Sequence, residues 1–226
     1  MRLFGPVHIL LLIGIAGVAA LLSILCRRDL ISSRIARLSL GYGLAANEVI
    51  WWIFRYSHEG FRFPDNLPFQ LCDLTVWSTV LACLTLVPWL VEFSYFAGLA
   101  GAGMAILTPD LWSPWPSYPA IYFFLAHGGI VIAVVALVFG RIAPLRSGAV
   151  WRTFGILLLY VAFLALFNGV FHTNYMYLRH KPKSETLLSV MGPWPIYLAT
   201  GMAFALALFW LLWLPVRPRK TLTSAD

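Results

Sequence analysis

Charged residues are scarce in this chain: only 11% of its 226 residues are Asp, Glu, Lys or Arg, whereas 61% are hydrophobic. A soluble globular domain has about 25% charged and about 45–50% apolar residues. The composition therefore excludes an ordinary soluble protein and predicts one that crosses a membrane several times. We expect a single all-α transmembrane domain over residues 1–226, with a short basic tail at residues 215–226.

Cysteine is rare as well, and the three cysteines, Cys26, Cys72 and Cys83, form no CxxC pair. This spacing argues against a disulfide framework and against a zinc site. The chain also has no HExxH, no GxSxG, no P-loop and no dinucleotide fingerprint. We therefore expect no metal, no cofactor and no nucleotide, and we disfavour hydride chemistry and nucleotide hydrolysis.

The net charge of +7 comes from basic residues scattered as short flanks around apolar stretches. Such flanks specify membrane topology and attract anionic lipid headgroups. Membrane lipids rather than nucleic acid are therefore the expected partners, and nothing in the sequence predicts an oligomeric state. With the N-terminus outside, ten of the 16 Lys and Arg residues fall on the inner side and six on the outer side. This bias predicts a cytoplasmic C-terminus.

Seven apolar stretches approach the roughly 20 residues that a membrane-spanning helix requires. Prolines at positions 68, 119 and 193 suit helix starts, where a missing backbone donor costs little. In the fourth stretch, small residues spaced four apart predict close helix packing. We therefore predict a bundle of seven transmembrane helices at residues 7–25, 38–54, 68–87, 91–107, 119–139, 151–171 and 193–214.

Strongly polar or ionisable residues interrupt these apolar stretches, or lie at their ends, at one depth in the outer half of the membrane. They are Glu48, Cys72 with Asp73, His127, Asn168, and the pair His172 and Asn174. Such residues usually face a protein interior or a water-filled cavity, and they mark function. Their common depth predicts one polar chamber that opens on one membrane face.

Cys72 and His127 are the candidate catalytic residues. Cys72 lies near the start of a predicted helix, where the helix dipole favours a thiolate nucleophile, and Asp73 is assigned a supporting role although its negative charge opposes that thiolate. The alternative for Cys72 is a small buried hydrophobe. His127, followed by Gly128 and Gly129, is predicted to act as a general base or acid; the alternative is a hydrogen bond between two helices.

Further residues are assigned to orientation and substrate binding. Glu48 and Asn168 could orient the imidazole. Glu48 could instead hold a cationic headgroup, or it could belong to a buried ion pair. The candidate substrate-binding residues form a phosphate-binding rim in a basic run that continues to Lys183, and they are Asn174, Tyr175, Arg179 and Lys181. The alternative for this run is a solvated loop at the membrane interface.

Five short motifs resemble, in the same order, those of YwaF-like integral membrane proteins. They are LPFQLCD at 67–73, LTPD at 107–110, FFLAHGG at 123–129, NYMYLR at 174–179 followed by KP at 181–182, and GPWP at 192–195. The resemblance covers nearly the whole chain and implies a multi-pass protein of a bacterial plasma membrane. An animal branch of the family acts as a membrane phospholipid acyltransferase with a proposed cysteine–histidine pair, and the matching positions are Cys72 and His127.

The leading functional hypothesis is therefore a membrane enzyme that handles the acyl chains of lipids. Cys72 would form a thioester, and His127 would move the protons. One alternative is a non-catalytic protein that binds or transports a lipid or a small solute, although no internal repeat of the kind found in many transporters is evident. Another is a structural subunit whose polar groups serve helix packing.

Overall fold

The computed structural model describes residues 1–111, 113–181 and 190–217. Over these ranges it contains seven helices and no strand, which confirms the all-α prediction. Tyr175–Tyr177 adds one short 3-10 turn. The helices are α1 Pro6–Arg27, α2 Ser33–Glu59, α3 Leu71–Thr85, α4 Pro88–Leu107, α5 Tyr118–Phe139, α6 Ala149–Phe171 and α7 Ile196–Trp213.

Five of these helices, α1, α4, α5, α6 and α7, are long and apolar enough to cross a membrane. Helix α3 is apolar but has only 15 residues. Helix α2 is 27 residues long, but polar residues lower its hydropathy. The chain is thus a multi-pass helical protein by length and composition, while seven spans and the orientation of the bundle stay predictions.

The start of α3 corrects the prediction at Pro68. The helix begins three residues later, at Leu71, because the carboxylate of Asp73 accepts a hydrogen bond of 2.9 Å from the backbone N–H of Gln70. This bond satisfies a donor that the helix leaves without a partner at its N-terminus. The helix ends at Thr85 because Leu86 adopts a left-handed conformation, with φ 56°.

Other helix boundaries also differ from the apolar stretches. Helix α7 begins at Ile196 instead of Pro193, whereas Pro119 lies in the first turn of α5 as predicted. Helix α2 extends beyond both ends of the predicted 38–54 range, and the Ser32 side chain accepts a hydrogen bond at its start. The reason is general: hydropathy locates the lipid-buried part of a helix, whereas caps and polar turns decide where the helix ends.

Helix α4 is not uniform. It consists of α-helical Pro88–Phe93, a π-helical turn at Ser94–Gly98 and α-helical Leu99–Leu107. All five residues of the π-helical turn are buried. At Gly98 a Cβ atom would lie 3.1 Å from Ile130, so this glycine allows α4 to approach α5 closely, as the pattern of small residues predicts.

Helix α5 is the centre of the fold and packs against α1, α2, α3 and α4. Helices α6 and α7 pack on α4 and on each other. Outward-facing residues such as Leu10, Leu159 and Leu166 are about 70% exposed, with values of 68%, 74% and 69%. Large apolar side chains at such positions are the expected surface toward lipid. The packing leaves one end of α2, α3 and α5 open around Cys72 and His127.

Candidate functional site between α2, α3 and α5

Cys72 is the second residue of α3, and its side chain is exposed. The other two cysteines, Cys26 and Cys83, are buried, with exposures of 4% and 0%. A reagent or substrate that enters the bundle from this end can therefore reach one of the three thiols. The position in the first turn of a helix also sets the Cys72 sulfur near the positive end of the helix dipole.

His127 lies in the middle of α5 and is partly buried. Its Nδ1 atom is 2.8 Å from the carbonyl oxygen of Phe123, one turn earlier, and the two rings lie 4.3 Å apart. A carbonyl oxygen has no proton to give, so Nδ1 donates. In the neutral ring the lone pair is then on Nε2, which can accept a proton. The alternative predicted for His127, a bond between two helices, is not the bond that fixes this ring.

Two cavities meet at Cys72 and His127. The first, the charged cavity, has a volume of about 370 Å³, and the second, the uncharged cavity, has a volume of about 460 Å³. Both volumes lie within the roughly 300–1,000 Å³ of small-molecule sites. The charged cavity is lined by Trp51, Arg55, Glu59, Gln70, Cys72, Asp73, Val76, Tyr122, Phe123, Ala126, His127 and Ile130. The uncharged cavity is lined by Gln70, Leu71, Cys72, Thr75, Gly101, Ala102, Ala105, His127, Met176 and Tyr177.

Gln70, Cys72 and His127 line both cavities. The thiol and the imidazole therefore lie where the two cavities adjoin, and Asp73 lines the charged cavity. A molecule that occupies either cavity can contact both candidate catalytic groups. The sequence predicted one chamber, and the structure places two adjoining cavities there.

Glu48 lies behind the wall of the charged cavity and is fully buried. Its carboxyl oxygens accept hydrogen bonds of 2.8 Å from the Trp52 indole N–H and from the Tyr122 hydroxyl. Both donors are neutral, and no ion pair of Glu48 is found among the described residues. Glu48 positions Tyr122, which stacks on Trp51 at 4.2 Å in the cavity wall. An orienting role of Glu48 toward the imidazole stays a prediction.

Asn168 is buried near the end of α6 and bonds to the turn that follows. Its side-chain amide donates to the Tyr175 carbonyl oxygen at 3.0 Å, and its amide oxygen accepts from Thr173 at 2.7 Å and from the Tyr175 backbone N–H at 2.9 Å. These bonds use the amide both as a donor and as an acceptor. Asn168 thus closes the turn that follows α6, while its role in orienting the imidazole stays a prediction.

The residues predicted for substrate binding divide into two pairs. Tyr175 is buried; its hydroxyl donates to the Pro64 carbonyl oxygen at 2.6 Å and accepts from the Leu67 N–H at 3.0 Å. Burial raises the pKa of Tyr175, which favours the protonated hydroxyl that this pairing uses. The Asn174 amide oxygen accepts from the backbone N–H of Arg179. Both side chains therefore hold the loop after α6 in place, and their assignment to substrate binding stays a prediction.

Arg179 and Lys181 are the cationic members of the predicted rim. Arg179 is exposed, with one guanidinium nitrogen 3.5 Å from the Asn168 carbonyl oxygen. The Lys181 ammonium lies 5.3 Å from the centre of the Tyr197 ring. Lys183 and the tail beyond residue 217 lie outside the described residues. In the same loop, Met176 and Tyr177 reach the uncharged cavity.

Residues 3–214 match the model of the TMEM164 family. The chain belongs to the TMEM164 family. None of the curated proteins and none of the solved structures matches it. Membership in this transmembrane family agrees with the five apolar helices and establishes a membrane protein in contact with lipids.

Two members of the site in this TMEM164-family chain were not assigned from the sequence. Tyr122 and Gln70 line the cavity walls, and the Gln70 side-chain oxygen accepts a 3.1 Å hydrogen bond from the Met176 N–H. This bond ties the start of α3 to the loop after α6. Gln70 stands within the LPFQLCD motif, which is the signal that could have drawn attention to it.

A buried charged cluster at the other end of the helices was also missed. Glu92 in α4 is 1% exposed and binds two guanidinium groups. Arg146 contacts it at 2.8 and 3.1 Å, and Arg152 contacts it at 2.9 and 2.8 Å. The cluster joins α4 to the start of α6, and the isolated acidic residue in an apolar stretch was its signal in the sequence.

Proposed function

We propose that this TMEM164-family protein is a membrane enzyme that transfers or hydrolyses phospholipid acyl chains, with Cys72 as the nucleophile and His127 as the base. One observation supports this most strongly: the thiol and the imidazole line the same two cavities. A membrane protein meets phospholipid esters at high local concentration. The YwaF-like resemblance implies the same cysteine–histidine pair.

In the first step, Nε2 of His127 takes the thiol proton of Cys72 while the sulfur attacks the ester carbonyl. The S–C bond forms and the ester C–O bond breaks. The lysophospholipid leaves as an alcohol that carries the proton from His127. The acyl chain is then held as a thioester on Cys72, and no further reactant is consumed.

In the second step, His127 takes a proton from an acceptor hydroxyl, whose oxygen attacks the thioester carbonyl. The new ester C–O bond forms, the S–C bond breaks, and the Cys72 sulfur regains the proton from His127. A lysophospholipid as acceptor makes the reaction a transfer, whereas water makes it a hydrolysis. The hydrogen bond from Nδ1 to Phe123 holds the ring in the tautomer that both steps require.

We further propose that all seven helices cross the membrane as one domain, with the N-terminus outside and the C-terminus in the cytoplasm of a bacterial cell. The distribution of Lys and Arg supports this orientation. Both cavities would then open in the outer half of the membrane. Reporter fusions at either terminus test it: a cytoplasmic signal from the N-terminal fusion would reverse the orientation.

The direct test of the chemistry is acyl transfer by the purified chain in proteoliposomes. The substrates are phosphatidylcholine with a labelled acyl chain and a lysophospholipid acceptor, and mass spectrometry follows the product. We expect Cys72→Ala to abolish the transfer, and Cys83→Ala, a matched change at a buried cysteine of the same helix, to retain it.

Full transfer by the Cys72→Ala protein would refute the mechanism. If the parent protein instead binds phospholipid reversibly and transfers nothing, the result would favour the non-catalytic alternative, a lipid- or solute-binding protein or a transporter.

A further inference from the structure

The two cavities share their reactive wall but differ in charge. Arg55, Glu59 and Asp73 line the first and not the second, and none of the described residues that line the second carries a full charge. A lipid being processed by Cys72 has a charged headgroup and an apolar chain on either side of the ester. The wall at which the cavities adjoin is therefore where the ester of such a molecule would lie.

We propose that the uncharged cavity holds the fatty acyl chain, that the α4 wall at Gly101 and Ala105 decides which chains fit, and that the charged cavity takes the polar headgroup. This assignment of the two cavities rests on the proposed acyl-transfer function. It adds the location of the two substrate parts and the residues that select the acyl chain.

Two polar side chains around the uncharged cavity, Thr75 and Gln70, form hydrogen bonds within the protein. The Thr75 hydroxyl donates to the Cys72 carbonyl oxygen at 3.1 Å, and the Gln70 side-chain oxygen accepts from Met176 at 3.1 Å. Apart from the reactive pair Cys72 and His127 and from Tyr177, the remaining described lining is small or apolar. Away from the reactive pair the cavity therefore favours an apolar occupant, because a polar ligand would lose hydrogen bonds to water and regain few of them.

The charged cavity offers complementary groups for a zwitterionic headgroup. The Arg55 guanidinium and the Glu59 carboxylate form an ion pair of 3.1 Å, with side-chain exposures of 28% and 53%. A guanidinium binds phosphate through charge-assisted hydrogen bonds. Because this ion pair is open to solvent, it can exchange its partners for a phosphate and an ammonium group at little cost.

Gly101 is the point at which the width of the uncharged cavity can be changed. A Cβ atom placed there would meet only Leu71 Cδ2, at 3.9 Å, which is ordinary contact. A larger side chain therefore fits without disturbing the backbone and extends into the cavity space. Gly103, two residues later in the same helix, has nothing within 4 Å of an added Cβ and does not line either cavity. The same substitution at Gly103 is thus a matched control.

The test measures which alkyl chains can reach the Cys72 thiol. N-ethylmaleimide and N-dodecylmaleimide are reacted with the parent protein and with its Gly101→Leu, Gly101→Ala and Gly103→Leu variants in nanodiscs, and peptide mass spectrometry follows Cys72. Cys26 and Cys83 serve as buried internal references. Each rate is divided by that of the parent for the same reagent, which removes the partitioning of the reagent into lipid.

We expect Gly101→Leu to slow labelling by the dodecyl reagent by about fivefold or more, because overfilling an occupied cavity typically costs about that factor or more. Labelling by the ethyl reagent should change little, Gly101→Ala should give an intermediate effect, and Gly103→Leu should leave both rates unchanged. Equal slowing of both reagents, or no slowing of either, would overturn the assignment of the uncharged cavity.

This readout does not depend on catalysis, so it separates the two proposals. If Cys72→Ala transfers acyl chains normally but Gly101→Leu excludes the dodecyl reagent, the proposed mechanism is wrong and the chain cavity is supported. If transfer requires Cys72 but Gly101→Leu admits the dodecyl reagent as the parent does, only the chain cavity is wrong.

Discussion

Glu48 and Glu92 are equally buried, with exposures of 0% and 1%, yet their hydrogen-bond partners at the two ends of the molecule differ. Glu92 binds two guanidinium groups through four hydrogen bonds of 2.8–3.1 Å. Among the described residues, Glu48 accepts hydrogen bonds from two neutral side-chain donors, Trp52 and Tyr122. Charge pairing at one end joins α4 to α6, whereas at the other end the carboxyl group supports the wall of a cavity.

The difference shows how a membrane bundle can separate stability from chemistry. A buried carboxylate between two arginines is satisfied and rigid, but it has no capacity left for a ligand. A carboxyl group held by an indole and a phenol is also satisfied, and it orients aromatic side chains that line a hollow. We therefore expect changes at the Glu92 end to affect unfolding, and changes at the cavity end to affect reactivity first.

The largest expected effect is at His127. Replacement by Gln keeps most of the volume but removes the proton acceptor, so acyl transfer should fall by about 10²–10⁴-fold, the usual contribution of a general base. Transfer rates in proteoliposomes, with SDS-induced unfolding as the control for folding, measure this. Transfer at the parent rate would remove His127 from the mechanism.

The second expected effect is on stability and comes from Glu92→Gln. Breaking a fully buried ion pair costs about 3–5 kcal/mol. The arginine side chains here are 49% and 40% exposed and can regain water, so we expect a loss of about 2–3 kcal/mol in the free energy of unfolding. Tryptophan fluorescence during SDS titration measures it. Labelling of Cys72 by N-ethylmaleimide should not change; a change would mean that the two ends are coupled.

A smaller effect separates the two roles of the Glu48 carboxyl group. Glu48→Ala leaves the Trp52 and Tyr122 donors without their acceptor, and we expect it to cost about 2 kcal/mol in the free energy of unfolding. Glu48→Gln keeps one acceptor oxygen and should cost about 1 kcal/mol. The same SDS titration compares them. Equal losses would show that the charge, rather than the hydrogen bonds, is what the fold uses at this position.

The smallest expected effect is at Tyr175. Tyr175→Phe removes the hydrogen bonds to Pro64 and Leu67 and should cost about 1 kcal/mol, because the freed backbone groups lie near the surface and can reach water. Unfolding measurements and transfer rates would be compared at equal folded fraction. A loss of transfer larger than the loss of folded protein would support the predicted role of Tyr175 in substrate binding, and equal losses would contradict it.

Of the residues that the sequence marked as chemically unusual, Cys72, Asp73 and His127 line the cavities, whereas Glu48 and Asn168 line neither. Cys72, Asp73 and His127 were conspicuous because polar groups rarely interrupt apolar stretches. Glu48 and Asn168 were conspicuous for the same reason, yet their hydrogen bonds go to Tyr122 and Tyr175. The rotation of each helix decides these partners, and near-uniform apolar stretches contain little information about rotation.

Helix boundaries show the same limit at a local scale. Hydropathy found the seven apolar stretches, but α3 begins at Leu71 because Asp73 caps it, and α4 contains a π-helical turn at Ser94–Gly98. A cap is a contact between specific atoms, and a π-helical turn depends on how both halves of the helix pack. Neither the cap nor the π-helical turn changes the average hydrophobicity of the stretch, so hydropathy does not predict them.

By itself, the sequence determined that this is a helical membrane protein, because burying charge in lipid costs so much that the scarcity of charged residues indicates it. Only the tertiary structure decided that two cavities, one charged and one uncharged, share the wall formed by Gln70, Cys72 and His127. Such cavities form between helices from distant parts of the chain and depend on small differences in packing distance and helix rotation. The local sequence of each helix does not specify these differences.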